Sequence, residues 1–174
     1  MAEAELFLAE LACDSNQGAT AERFAQDAVQ EFQKEKESDA QILALTFLSR
    51  ALLPQGKIGE TEGAVAKAKI LSANSSDIAT RLVFEVDNAY VLAAARDFNG
   101  AENLAKTAYA EANKLGFVQT QLEASLALGK IEMTGPNPAA GRVLLQQLAK
   151  DARARGFALI ARKASTALES GSAE

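Results

Sequence analysis

Histidine and tryptophan are absent, cysteine occurs once and proline three times in the 174 residues. Without histidine there is no imidazole base, no Ser-His nucleophile and no histidine ligand for a metal. The single cysteine, Cys13, excludes an internal disulfide and any cysteine-based metal site. No apolar run approaches the ~20 residues that a membrane span needs. The opening "MAEAELFLAEL" begins acidic, unlike a signal peptide. These absences predict a cytoplasmic chain that does not insert into membranes.

Aromatic residues are scarce at 6%, while hydrophobic residues reach 48%, a large part of them alanine. Small side chains suit close helix packing, whereas a sheet draws on β-branched and aromatic residues. The net charge is −5, with 18 basic residues interleaved among 23 acidic ones. No cationic stripe is available to follow phosphates, so no direct nucleic-acid partner is expected. "TGPNPAAG" lacks both the spacing and the lysine of a phosphate loop. The acidic residues lack the order of a calcium loop. The sequence therefore predicts no active site, no metal and no cofactor.

What the chain does contain is a period of forty residues. Ala21, Thr61, Ala101 and Gly141 fall in one column of small residues, and Ala9, Ser49, Ala89 and Gly129 in another. Ala28, Ala68 and Ala108 are identical, with Leu148 completing the column. Ala25, Val65, Ala105 and Leu145 are all apolar, as are Leu11, Ala51, Val91 and Ile131. Leu8, Leu48 and Leu128 share a column in which Asn88 is the exception.

Breakers fall in phase with these columns. "NQG" at 16–18, "QGKIG" at 55–59, "DFNG" at 97–100 and "TGPNP" at 134–138 would divide each unit into two helices. "EKESD", "NSSD", "KLGF" and "RGF" would join successive units. Gly116 and Gly156 fit a left-handed helix end. Ser38 or Asp39, and Ser76 or Asp77, are candidate N-caps, and Asn137 with Pro138 suits a helix start. Pro54 should end the helix that precedes it.

The expected fold is all-α: an α-α superhelix of four helical hairpins plus a C-terminal capping helix. It is read as a single domain over 1–170, with units near 2–38, 39–76, 77–116 and 117–156. A capping helix over 157–169 precedes a disordered tail at 171–174.

"RDFNGAENLAKTAYA", with Phe98, Ala101, Ala105 and Ala108, and "LEASLALGKIEM", with Leu128-Gly129, resemble the turn and helices of the tetratricopeptide repeat (TPR) family. The period of forty exceeds that family's usual 34, the first-helix aromatic is missing, and no unit closes on proline. The resemblance implies a TPR-like solenoid of long helices whose first helices line a concave binding surface. It also implies a cytoplasmic module of a larger bacterial signalling protein, such as a serine/threonine kinase or a winged-helix regulator.

Three columns of first-helix residues should face away from the core and form that surface. They are Leu6, Thr46, Val86 and Leu126; Glu10, Arg50, Tyr90 and Lys130; and Cys13, Leu53, Ala93 and Met133. The expected partner-binding residues are Arg50, Leu53, Val86, Asn88, Tyr90, Lys130 and Met133. Tyr90 would anchor a peptide or helical segment of a protein partner, with Arg50 and Lys130 meeting its acidic groups. The same surface could support self-association. A small-molecule pocket around Asn88 and Tyr90 is the alternative reading. Cys13 reads as a buried or half-buried side chain.

Overall fold

A computed structural model describes residues 1–170. Among them the chain forms nine α-helices. They are α1 (Ala2–Asp14), α2 (Gly18–Glu35), α3 (Ser38–Leu52), α4 (Ile58–Ser72), α5 (Ile78–Ala94), α6 (Phe98–Leu115), α7 (Val118–Thr134), α8 (Pro138–Ala154) and α9 (Ala158–Ser170). The even-numbered helices α2, α4, α6 and α8 begin at Gly18, Ile58, Phe98 and Pro138, forty residues apart each time. The sequence period is thus carried by the starts of the second helices. The expected tail at 171–174 lies outside the described residues.

Local chemistry sets the helix ends. The carboxylate of Asp77 accepts from the backbone N–H of Ala79, at 3.0 Å, and takes the Thr80 hydroxyl at 2.9 Å. It therefore caps α5. Asp97 caps α6 by accepting from Gly100 N–H at 2.9 Å. Pro138 opens α8 behind Asn137, where its missing N–H costs nothing. Pro54 lies in a short 3-10 turn, Leu53–Gln55, that closes α3 on Gly56. Neither Ser38 nor Asp39 caps α3, because Glu37 occupies that place without a side-chain bond. Asp39 instead accepts from the Ser75 hydroxyl at 2.5 Å.

The chain divides into two compact units, Met1–Asp87 and Asn88–Glu174. Within the first, α1 packs on α2, α2 on α3 and α3 on α4, and α1 also touches α3. Small residues make these approaches. Phe47 of α3 packs on Ala9 of α1 and Ala25 of α2, while Ala51 meets Ala12 and Ala21. Ala44 meets Ala2 and Ala28 beside Phe32. A further cluster joins Ile42 and Leu45 to Ala64, Ala68 and Phe84.

In the second unit α6 packs on α7, α7 on α8 and α8 on α9, with α7 also touching α9. Larger apolar residues fill this core: Leu122, Leu126, Leu145, Leu148, Ile160, Ala161 and Ala164. The α7–α8 crossing is the tightest place. A methyl group on Gly141 would lie 2.5 Å from the Met133 nitrogen and 2.6 Å from the Gly129 carbonyl oxygen. Only a residue without Cβ lets the two backbones come this close.

Candidate interaction surface

The three outward columns expected from the sequence do not share one environment. Thr46 and Leu126 are buried, and Val86 is only 5% exposed, so Val86 is unavailable to a partner. Leu6 is half-buried against the Ala2 and Ala9 clusters. The reason is geometric. A first helix lined by alanine on its neighbours is approached from more than one side, so α3 buries residues around most of its circumference, from Ile42 through Leu52. Thr46 tolerates this because its hydroxyl donates to the Ile42 carbonyl at 2.8 Å, within its own helix.

The column of Glu10, Arg50, Tyr90 and Lys130 stays at the surface or half-buried. In the unit Met1–Asp87, Arg50 is half-buried and held by carboxylates. Its Nη2 lies 3.0 Å from Asp14 Oδ1 and its Nε 3.4 Å from Asp87 Oδ1. The guanidinium also sits 5.6 Å from the centre of the Phe47 ring. Held between two carboxylates, Arg50 is a strut between helices and not a ready receptor for an acidic partner. Leu53 stands half-buried at the start of the 3-10 turn.

Cys13 lies beside this strut, half-buried, with its Sγ 3.5 Å from the Phe47 carbonyl oxygen. Burial pushes its thiol up to about 11; the Arg50 charge opposes that rise, and Asp87, Asp14 and Glu10 reinforce it. A thiol held in its neutral form is a poor nucleophile.

In the second unit two expected residues are brought together. The Lys130 ammonium of α7 sits 5.0 Å from the centre of the Tyr90 ring of α5. Lys130 is exposed and Tyr90 half-buried. Met133, one turn beyond Lys130, packs its half-buried side chain on the Leu122–Leu148 cluster. Asn88 is half-buried, which makes its polar side chain less costly than a fully enclosed amide.

Sequence reading missed Asp14 and Asp87 as the partners of Arg50. They lie 36 and 37 residues from it in the chain. The available signal was their position one helical turn from the cation's column, Asp14 four residues after Glu10 and Asp87 three before Tyr90.

Among the described residues no group of His, Cys, Asp and Glu is placed to hold a metal, and no helix is long and apolar enough to cross a membrane. No protein-family model matches the chain, and neither the curated proteins nor the solved structures give a match.

Proposed function

We propose that the chain is a non-catalytic interaction scaffold that holds a peptide or helical segment of a partner protein on its first helices. The Tyr90–Lys130 pair carries this reading. An aromatic face with a cation above it suits a segment that offers an apolar anchor and a carboxylate one or two residues away. Met133 follows Lys130 by one turn of α7. Arg50, engaged by Asp14 and Asp87, contributes framework and not contact.

The TPR resemblance of the "RDFNGAENLAKTAYA" and "LEASLALGKIEM" stretches supports the reading, since that family presents peptide grooves on first helices. On the same resemblance we assign the chain to the cytoplasmic part of a bacterial signalling protein.

The test is selection of a random peptide library, displayed on phage, against the folded protein. Recovered peptides should carry an aromatic or leucine anchor near Asp or Glu. Tyr90→Ala with Lys130→Ala should weaken them at least tenfold while the helical circular dichroism is kept. Peptides that bind the double variant as tightly as the original would remove the proposed site.

A further inference from the structure

Helix α1 leaves a row of large apolar side chains in water. Phe7 is 64% exposed and Leu11 53%, with Leu8 beside them. With Ala4 they fall at i, i+3, i+4 and i+7, one stripe of an α-helix. The chain itself shows what such a stripe packs against. One period later the same columns are Ala44, Phe47, Leu48 and Ala51 on α3. There Phe47 is only 5% exposed, covered by alanines from the two helices of the preceding hairpin.

Charge defines the stripe further. α1 carries Glu3, Glu5, Glu10 and Asp14 and no lysine or arginine. On the helix Glu3 and Glu10 run along one edge of the stripe, and Glu5 lies on the other. A second copy paired through its own α1 would set two acidic helices against each other.

We propose that the Ala4–Phe7–Leu8–Leu11 stripe is a docking face for an amphipathic helix of a partner protein. The apolar side of that helix carries small residues, alanine above all, as the cover of Phe47 does. Its edge carries lysine or arginine that meets the glutamates of α1. The stripe lies on α1 and the Tyr90–Lys130 pair on α5 and α7, and the stripe rests on no observation of that pair.

The test uses the full chain and two synthetic helical peptides, each stapled on its outer side. One has an alanine stripe edged with lysines, and the other has glutamates at the same places. Fluorescence anisotropy should show the lysine peptide binding at least tenfold more tightly than the glutamate peptide. Phe7→Gln with Leu11→Gln, both at exposed positions, should reduce that binding at least tenfold and leave the melting temperature within a few degrees. A Phe7→Ser, Leu11→Ser variant guards against a fold defect in the first. Tyr90→Ala with Lys130→Ala should leave lysine-peptide binding unchanged. Equal binding of the two peptides, or undiminished binding by both α1 variants, would overturn the proposal. So would a concentration-dependent dimer in sedimentation that the α1 variants convert to monomer, since a second copy would then be the cover.

Discussion

Helices α1 and α3 are the same element of the repeat in two settings. Phe7 and Phe47 occupy one column, yet the first is 64% exposed and the second 5%. The phenylalanine is not what differs. Phe47 has Ala9 and Ala25 against it, whereas the matching side of Phe7 faces solvent. In a repeat array, burial belongs to the neighbouring hairpin as much as to the residue.

The sharpest way to break this comparison is to truncate both rings. Phe47→Ala should cost about 3–5 kcal/mol, because the lost apolar contacts leave a cavity that alanine neighbours cannot fill. Phe7→Ala should change stability by no more than about 0.5 kcal/mol. Equilibrium urea unfolding of the two variants measures the difference. Equal losses would mean that the stripe on α1 is covered in solution.

The second test compares the two sides of α1 itself. Phe7 looks outward, whereas Cys13 is half-buried beside Phe47, its thiol pushed up to about 11 by burial. At pH 8 a shift from 9.0 to about 11 lowers the thiolate fraction by about a hundredfold. Alkylation by iodoacetamide should therefore be about a hundredfold slower in the folded chain than in urea. The linkage has a definite sign. The folded state holds its proton more tightly, so this contribution to stability is complete below pH 9 and is lost as pH rises toward 11. Folded-state alkylation as fast as in urea would show that Cys13 is open to solvent.

The hairpin pattern was legible because turn chemistry and small-residue columns repeat in phase. Gly129 and Gly141 read as small residues, and they prove to be where α7 and α8 come closest. Ser76 or Asp77 read as a cap, and Asp77 is the one that caps. The surface was less legible, for physical reasons. Thr46 fell in an outward column, but its hydroxyl is satisfied inside α3 and the residue is buried. Val86 looked like a groove residue because one helix periodicity cannot show how many neighbours approach. Arg50 looked like a free cation because an ion pair across helices leaves no local mark in the sequence. Tyr90 and Lys130 could be paired from the period alone, since one repeat step brings adjacent first helices into register.

The smallest effect concerns the joints between hairpins, at the residue that takes the left-handed conformation. Lys36 ends α2 in the left-handed conformation, with φ 62°. Its column mates in the second unit, Gly116 and Gly156, hold φ 76° and 84°. A side chain with Cβ pays roughly 1–2 kcal/mol for that region, whereas glycine enters it freely. The gain from Lys36→Gly is partly offset by the greater freedom of glycine in the unfolded chain. We expect net stabilisation of about 0.5–1 kcal/mol, and a loss of similar size for Gly116→Lys. Both are read from the urea midpoint at constant slope. If Lys36→Gly were neutral while Gly116→Lys stayed costly, the lysine side chain would have to recover the backbone strain through its own contacts. The φ angle alone would then no longer account for the joint.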